Sequence, residues 1–582
     1  MRVARLEITR FRGFESFVLV PRGSVVVVGE PRAGRSDLIA ALRRVLDPRS
    51  VQARPSEWDV FRPLPELTEL DGDGDAEVAI PLTSVKVSLM SLSPEVEQDL
   101  DDRLELLDPE TGEVADPAAA DDAELGIRLT YCLRYGADEQ QLEHWLEYAK
   151  SGQRVPRADR EALRAFILER NPPLQLRSEG ILRRLASEPN PDALAATLLS
   201  FAEAITEATT TLTRSDEVQA GLKLVVNHGP KRLLELDDTD PTVGIGFTAE
   251  DGSMAALLRA VQPTLDLDEH AGNLPLSSHG STTAAVLATA EASAVAQTDH
   301  AIVLADDFGD QLDAAAAEYL AARLRRRGGQ LWLTTRRAEV ISAFDATDLV
   351  RLTRHTGARQ HFQLSENADR KERARRRHVS TLLAPAMSAR TVILLEGPHD
   401  FETYTTVERR RFQELAKTPV SALGMRFVTA SASGGEGGKQ ELAKLARLAK
   451  DFGLSIRVVL DHDKPGSDAD LLEELKTMAD LIVRLPPRAA VERAIVDGLE
   501  PVVLRSVLET LNDDHDLGLD VKAIDDGDLA DRCIKALKQK GGLHRLFIEL
   551  LPYKTVPQLA SNVLIRLHGA APADPLVILA DL

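Results

Sequence analysis

Three carboxylates in the C-terminal third of the chain stand directly after apolar runs. Glu396 follows Val392–Leu395 in "RTVILLEGPHDFETY". Asp461 and Asp463 follow Ile456–Leu460 in "LSIRVVLDHDKPG". Short apolar runs of this kind predict buried strands, and carboxylates at the carboxyl ends of parallel strands meet at one edge of the sheet. Because all these donors are oxygen atoms, the group suits a pair of Mg²⁺ or Mn²⁺ ions rather than zinc.

The residues around these carboxylates add to the same chemistry. Asp400 begins a predicted helix, and it is either a further metal ligand or the helix N-cap. His462 points away from its flanking aspartates if the strand pleat continues, so it is not predicted as a ligand. The glycine-rich loop Ser433–Lys439 can approach a phosphate backbone closely. A two-metal site of this kind hydrolyses phosphodiesters, with one ion activating water and the other stabilising the leaving oxygen.

A second set of residues lies near the N-terminus, in "VVVVGEPRAGRSDLIAAL". The apolar run predicts a buried strand and the last residues predict a helix, with a loop from Gly29 to Gly34 between them. Backbone N–H groups of such a loop and of the helix N-terminus bind phosphates, and the Ser36 hydroxyl is placed to bind Mg²⁺. Arg35 replaces the usual lysine of this motif. The pattern therefore predicts an ATP site with an altered cation.

Two later strand patterns end in polar residues that suit the same site. "AIVLADDFGDQLD" contains Asp306 and Asp307, and "QLWLTTRRAEV" contains Thr334, Thr335 and Arg336. A carboxylate at the end of a strand holds the water shell of magnesium, and the next carboxylate orients the attacking water. A third strand pattern is predicted at "LKLVVN".

A serine- and glycine-rich turn precedes the acidic strand, in "LPLSSHGSTTAAVL". It contains Ser278, Gly280 and Ser281 and opens a predicted helix. We expect this turn to contact the γ-phosphate of a nucleotide bound by a second subunit, because helix N-termini bind anions. The order of loop, turn, acidic strand and threonine strand favours a nucleotide site over an ordinary strand–turn–helix.

The composition bounds the class of protein. At 582 residues the chain is expected to hold roughly two to four domains. The net charge of −22 argues against general adhesion to nucleic acid or anionic membranes. Cys132 and Cys533 lie far apart, so no disulfide framework is indicated. Neither an apolar span of about 18 residues nor a leader is visible, so we expect no membrane contact and a cytoplasmic location.

The patterns divide the chain into parts. Residues 1–365 hold the nucleotide motifs, with a helical pattern at about 138–215 that suits a dimerisation insert. Residues 366–388 form a basic helical linker, and 389–582 hold the carboxylates and a helical C-terminal part. The basic helix Arg370–Arg377 either lines a DNA path or is a solvated interdomain helix.

The opening "LEITRFRGF" followed by the loop at Gly29 resembles the ATPase head of the ABC and structural-maintenance type, which includes RecF-like and OLD-family proteins. Such heads dimerise around ATP. The departures from the family pattern are Arg35 for lysine, Asp307 for glutamate, Thr282 for a glycine and Arg336 for a histidine. They affect hydrolysis more than binding, so we expect nucleotide binding with slow or absent hydrolysis.

A glutamate followed 65 residues later by Asp-x-Asp resembles the Toprim domain. An ABC-type head followed by Toprim resembles the OLD (overcoming lysogenization defect) family, which includes the Gabija nuclease subunit. The resemblance implies an α/β fold with an ABC-type ATPase head, a helical dimerisation insert and a Toprim domain. It also implies that Glu492 is a further metal ligand and that Lys540, with Lys538 as second choice, stabilises the phosphate.

Taken together, these patterns predict a metal-dependent DNA endonuclease, gated by ATP and acting in antiphage defence. The alternative is a non-catalytic ATP-sensing scaffold that recruits a helicase or effector. The partners that the resemblance implies are DNA, a second copy or more of this chain, and a UvrD-like helicase. The expected cofactors are ATP and two Mg²⁺ or Mn²⁺ ions.

Overall fold

The fold is built on three large β-sheets. The computed structural model describes residues 1–51, 53–62, 83–116, 122–135, 142–163, 165–168, 173–176, 181–187, 190–227, 254, 257–258, 261–266, 274–298, 301–326, 329–354, 358–365, 370–430, 438–462, 468–539 and 542–580. The chain has the mixed α/β fold that the sequence predicts. No helix in these ranges combines the length and apolar character needed to cross a membrane.

Strands and helices alternate along much of the chain. The strands are β1 (Arg2–Phe11), β2 (Phe14–Leu19), β3 (Val25–Gly29), β4 (Thr83–Met90), β5 (Glu105–Leu107), β6 (Glu124–Tyr135), β7 (Leu142–Tyr148), β8 (Ala165–Leu168), β9 (Thr264–Leu265), β10 (Leu274–Pro275), β11 (Ile302–Ala305), β12 (Leu331–Thr334), β13 (Leu349–Thr353), β14 (Gln360–Gln363), β15 (Thr391–Leu395), β16 (Met425–Thr429), β17 (Ser455–Leu460), β18 (Leu481–Arg484) and β19 (Leu576–Ile578). The α-helices are α1 (Arg35–Leu46), α2 (Pro94–Asp99), α3 (Arg157–Ala162), α4 (Ile181–Ser187), α5 (Pro191–Arg214), α6 (Asp216–Asn227), α7 (Ser281–Thr298), α8 (Ala314–Arg325), α9 (Ala338–Ser342), α10 (Arg370–Leu383), α11 (Pro398–Leu415), α12 (Gly438–Asp451), α13 (Ala469–Lys476), α14 (Val491–Val496), α15 (Pro501–His515), α16 (Leu529–Gln539), α17 (Leu543–Glu549) and α18 (Gln558–His568).

The first sheet is antiparallel. Its order is β2-β1-β4-β6-β5, with β7 paired to β6. One face packs against α1 and the second sheet in a core that includes Leu6, Leu42 and Val87. The sheet therefore supports the strand and helix on either side of the glycine loop.

The second sheet has the order β14-β13-β3-β12-β11-β8 and is parallel except for β14. All residues of β3, β11 and β12 are buried, because both faces of the sheet are covered. The three strands are neighbours, so the loop after β3, the aspartates after β11 and the threonines of β12 come to one edge.

The third sheet has the order β16-β15-β17-β18-β19 and is parallel throughout. Strands β15 and β17 are paired, with Leu394 opposite Val458. The residues that follow these two strands, Glu396 and Asp461, therefore leave the sheet side by side.

The basic helix α10 and the residues after it join the second and third sheets. Leu383 and Met387 lie in a core that contains residues of both sheets. Arg351 of β13 is buried at the same joint and donates at 2.8–3.3 Å to four carbonyl oxygens, those of Met387, Ala389, Phe452 and Gly453. The part of the predicted linker that the structure describes, residues 370–388, therefore packs against both sheets.

The helical segment predicted at 138–215 is only partly helical. Residues Leu142–Tyr148 form β7 and Ala165–Leu168 form β8, while the longer helices run from Pro191 to Asn227. The apolar residues of "LEHWLEY" lie at 142, 145, 146 and 148, a spacing that does not separate a strand from a helix. The segment "LKLVVN", which is predicted as a strand, instead forms the C-terminal end of α6. A short apolar run does not by itself distinguish a strand from a buried helix.

Candidate functional site

Gly29 and Gly34 shape the loop after β3. Their φ angles are +141° and +99°, in a region that side chains rarely adopt. A Cβ on Gly29 would lie 2.1 Å from the carbonyl oxygen of Leu352 in the neighbouring strand, so only glycine fits there. Gly34 directly precedes α1, and the loop therefore leads into the N-terminus of a helix.

Arg35 folds back onto this loop. Its Nη1 atom donates to the carbonyl oxygen of Gly29 at 2.9 Å. Burial lowers the pKa of Arg35, and the carboxylate of Asp307 partly offsets that decrease. The guanidinium therefore uses one donor on the loop backbone, in the position where a lysine would present its charge to a phosphate.

Asp306 connects the loop to β12. Its Oδ1 atom accepts a hydrogen bond from the Ser36 hydroxyl at 3.0 Å and another from the Thr334 hydroxyl at 2.5 Å. The backbone N–H of Asp307 donates to the same Thr334 oxygen at 2.7 Å. The structure thus brings together the serine, aspartates and threonine that the sequence places far apart.

Asp307 and Arg336 stand side by side at this edge. Asp307 has a φ of +49°, which is uncommon outside glycine. The Nε atom of Arg336 lies 4.0 Å from Oδ1 of Asp307, and its Nη2 atom donates to Asp310. The Thr335 hydroxyl is buried and donates to the Phe308 carbonyl oxygen at 2.9 Å. Asp307 and Arg336 are therefore each held in place by a neighbouring opposite charge.

The turn with Ser278, Gly280 and Ser281 lies at the start of α7. The Thr282 hydroxyl donates to the carbonyl oxygen of Gln311 at 3.0 Å. This bond places the start of α7 against the segment that follows the two aspartates of the same chain. Whether the turn contacts a nucleotide on a second subunit stays a prediction.

Glu396 and Asp461 meet where β15 and β17 end. Oε1 of Glu396 accepts a hydrogen bond from the backbone N–H of Asp461 at 2.9 Å. Oδ2 of Asp461 accepts one from the backbone N–H of Val491 at 3.3 Å, and Glu492 is the next residue. The two strand ends and the start of α14 therefore lie at one edge of the sheet, but in the described part of the chain no three of these carboxylates have oxygen atoms within 4.8 Å of one another.

Asp400 lies in the first turn of α11, close to Glu492. The N-cap of the helix is Gly397, and Oδ2 of Asp400 accepts a hydrogen bond from its N–H at 2.9 Å, so Asp400 is the third residue of a capping box and the predicted N-cap role is wrong. Burial raises the pKa of Asp400 to about 6, and the charge of Glu492 contributes to the increase. Tyr404 lies one helical turn later and is fully buried, and its hydroxyl has no hydrogen-bond partner. Burial and the neighbouring carboxylates raise the pKa of Tyr404 well above its usual range.

Two lysines flank the cluster. Nζ of Lys439 lies 3.9 Å from Oε1 of Glu396 and 3.2 Å from Oδ2 of Asp468. Nζ of Lys538 lies 3.8 Å from Oε2 of Glu492. Burial would raise the pKa of Glu492, but nearby basic side chains and a backbone N–H lower it below its usual range. Both lysines therefore stand where they offset carboxylate charge.

The donor set fits a hard divalent cation. The candidate ligands are all carboxylate oxygens, which Mg²⁺ and Mn²⁺ prefer. Among the described residues, Oε2 of Glu492 is buried without a hydrogen bond, and Nζ of Lys538 at 3.8 Å offsets part of its charge, so a bound cation would add to that compensation. Asp463, Lys540 and residues 431–437 of the glycine-rich loop lie outside the described ranges, so their predicted roles stay predictions.

The sequence analysis did not single out two residues that lie beside the carboxylate cluster, Tyr404 and Lys439. The spacing of Tyr404 could have indicated its place, because a residue four positions after Asp400 on a helix lies on the same face. The position of Lys439 could have done the same, since it ends the glycine-rich loop. On α10, Arg376 and Arg377 pair with acidic residues of the same chain, which favours the interdomain helix over a DNA path.

Comparisons with known proteins returned structures but no sequence relatives. No protein-family model and no curated protein match the chain. One similar solved structure is an Smc head bound to the C-winged helix domain of ScpA, with 13% identity, coverage of 63% of this chain and 98% of that one, and a TM-score of 0.34. A Pyrococcus furiosus Smc head, with an extended coiled coil and bound to the C-terminal domain of ScpA, has 14% identity, coverage of 62% and 96%, and a TM-score of 0.34. The SMC head domain from Thermotoga maritima has 11% identity, coverage of 63% and 100%, and a TM-score of 0.29. Likeness at this level establishes neither a shared activity nor shared partners.

Proposed function

We propose that this protein is a metal-dependent endonuclease that hydrolyses DNA phosphodiesters at the cluster of Glu396, Asp461 and Glu492. The observation that supports the proposal is that Glu396 accepts from the backbone of Asp461, and Asp461 from the backbone of Val491 beside Glu492, at the carboxyl edge of a parallel sheet. Asp463, two residues after Asp461, completes the Asp-x-Asp pattern that resembles Toprim and the OLD family. Asp400 extends the same cluster.

Each part of the site has a role in this reaction. Glu396, Asp461 and Glu492 would hold the Mg²⁺ or Mn²⁺ ions, which when bound activate water and offset charge on the leaving oxygen. Lys439 reduces the repulsion between the carboxylates, since it lies within 3.9 Å of Glu396. Lys538, at the rim beside Glu492, is placed to stabilise charge on an incoming phosphate.

We propose that ATP binds the loop between Gly29 and Ser36 as a ligand rather than a fuel. Arg35 has one donor engaged by the loop backbone, so it is not a free point charge for the phosphates. Asp307 is shorter than glutamate and lies beside Arg336, and a displacement of about 1 Å at such a position costs roughly 100-fold in rate. A ligand shifts a conformational equilibrium through its differential affinity alone, without bond cleavage.

The joint between the sheets supports gating of one site by the other. Arg351 lies on β13, directly beside β3, and binds the backbone that leads into β15 and β17. A change at the loop therefore has a packed route to the strands that carry Glu396 and Asp461. We also propose a homodimer or higher oligomer in which the turn at Ser278–Ser281 completes the partner's nucleotide site. The antiphage role and a UvrD-like helicase partner rest on the resemblance alone.

A plasmid-nicking assay tests the nuclease. Supercoiled plasmid should be nicked or cut by the wild-type protein with Mg²⁺ or Mn²⁺ and not with EDTA, and Glu396→Gln and Asp461→Asn should abolish the activity. Glu473→Gln is the matched control, because that side chain is 74% exposed on α13 of the same region. If the wild-type protein binds ATP but leaves DNA intact with both metals, the scaffold alternative replaces the nuclease.

A further inference from the structure

A group of metal-ligating side chains lies beside the carboxylate cluster and was not expected from the sequence. His399 and Glu402 project from the first turns of α11, and His544 projects from α17. One ligand atom from each of the three lies within 4.8 Å of the others. The two helices pack against each other, so the group is held between two fixed elements.

His544 is the most buried member of the group. The residue is 1% exposed, and neither of its ring nitrogens has a hydrogen-bond partner among the residues that the structure describes. Its ring stacks on that of His399 with centroids 4.4 Å apart and an angle of 18° between the planes. Its Nε2 atom lies 3.7 Å from Oε1 of Glu492, beyond hydrogen-bonding distance. A buried imidazole without partners costs free energy, and a bound cation would remove that cost.

We propose that His399, Glu402 and His544 form a binding site for one Zn²⁺ ion, separate from the oxygen-only cluster. Imidazole nitrogen suits zinc and is a poor ligand for magnesium, so the two groups select different ions. Two histidines and one carboxylate leave one position of a tetrahedral ion for water. Because zinc binds its donors at about 2.0–2.1 Å, the three side chains would draw closer together than they stand now.

The site would fasten α17 to α11. Lys538 ends α16 just before α17, and it faces Glu492. Zinc at this position therefore fixes the segment that presents the lysine to the carboxylate cluster. The zinc site depends only on its own three side chains, so it can be tested independently of the proposed nuclease activity.

Zinc binding by the full-length chain tests the inference. The chelator-stripped protein is titrated with Zn²⁺ by calorimetry in excess Mg²⁺, and the retained zinc is counted by mass spectrometry after desalting. We expect one Zn²⁺ per chain and a higher melting temperature with zinc. His399→Ala and Glu402→Gln should each weaken binding by at least about tenfold. These two positions are chosen because both side chains are less buried than His544.

Asp461→Asn is the matched control, because it alters the neighbouring cluster and spares the three proposed ligands. It should keep full zinc affinity while losing metal-dependent cleavage, which separates the two proposals. Substoichiometric zinc in the wild type would overturn the site. So would zinc that is retained by folded His399→Ala and Glu402→Gln but lost in Asp461→Asn, because the ion would then belong to the carboxylates.

Discussion

The nucleotide loop region and the carboxylate cluster both stand at the carboxyl edge of a parallel sheet, but their polar groups are satisfied differently. Around the loop, Ser36 and Thr334 both donate to Asp306, so the protein supplies its own partners. In the cluster, as far as the described residues show, Oε2 of Glu492 and the hydroxyl of Tyr404 are buried without hydrogen bonds, although Lys538 lies 3.8 Å from that oxygen. Asp306 beside the loop therefore has its partners within the protein, whereas the cluster keeps buried polar atoms that an added cation would compensate.

Under the proposed function, this difference distinguishes the regulatory site from the reactive one. A phosphate that enters the loop has to replace existing bonds such as that between Arg35 and the Gly29 carbonyl, so binding is coupled to rearrangement. A cation that enters the cluster relieves an existing cost, so it stabilises the structure already present. The predictions below test this contrast, beginning with the largest effect.

The largest effect is expected at Glu396. Glu396→Gln should reduce metal-dependent cleavage by at least about 100-fold, because a ligand charge is lost. In EDTA the same variant should melt at the wild-type temperature or above it, since glutamine still accepts from the Asp461 N–H and repels its neighbours less. Differential scanning calorimetry checks this. A lower melting temperature in EDTA would mean that the cluster is internally satisfied, and the contrast would fail.

The next effect concerns the joint between the two regions. Arg351→Ala should lower the free energy of unfolding by about 3 kcal/mol or more, because it removes the donor from four carbonyl oxygens, two in buried and two in partly buried hydrogen bonds. Arg351→Lys should recover part of the loss, since its ammonium reaches fewer of them. Urea unfolding gives the measurement. A loss below about 1 kcal/mol for Arg351→Ala would show that water replaces the guanidinium.

Two buried cysteines can be used to follow the urea unfolding of the N-terminal and C-terminal regions separately. Cys132 lies in the first sheet and Cys533 lies on α16, and both are buried. Burial raises the pKa of each thiol to about 12, so neither should react with a thiol reagent in the native protein near neutral pH. In Arg351→Ala the two thiols should become reactive at different urea concentrations. Coincident exposure would mean that the two regions still unfold as one unit.

Sequence patterns located the strands that end at both sites. Continuous apolar runs identified β3, β11, β12, β15 and β17, because a strand buried on both faces needs no alternation. The same reasoning could not tell strand from helix in "LKLVVN" or in β7, where the apolar residues do not alternate. Local periodicity carries this information only where the run is long or its alternation is counted.

Contacts between residues that are far apart in the chain could not be predicted from the sequence. Arg351 resembles any surface arginine in its sequence context, and only the packing of two sheets shows that it is buried among backbone carbonyls. His399 and His544 lie 145 positions apart on different helices and carry no spacing signal. Metal ligands from separate helices are recognisable only after the fold brings them together.

A smaller effect is expected from Ser36→Ala. The change removes the hydroxyl that donates to Asp306 and that would bind Mg²⁺ beside the nucleotide. The affinity for Mg·ATP should fall about tenfold, which corresponds to about 1.4 kcal/mol. The affinity for ATP in EDTA should change little, and this serves as the control. Equal losses with and without magnesium would assign Ser36 to the structure of the loop rather than to the metal.

The smallest effect is expected from Arg35→Lys, which restores the common residue of the loop motif. Lysine would release the Gly29 carbonyl and offer a compact charge, yet Asp307 would remain beside Arg336. Phosphate release should therefore stay within about tenfold of background, because the attacking water is still poorly placed. Steady-state phosphate release, with and without DNA, is the measurement. A non-hydrolysable ATP analogue should change cleavage as ATP does. Robust turnover in the wild type that Asp307→Ala abolishes would show that the loop region consumes ATP, and the assignment of this region as a regulatory ligand site would then be wrong.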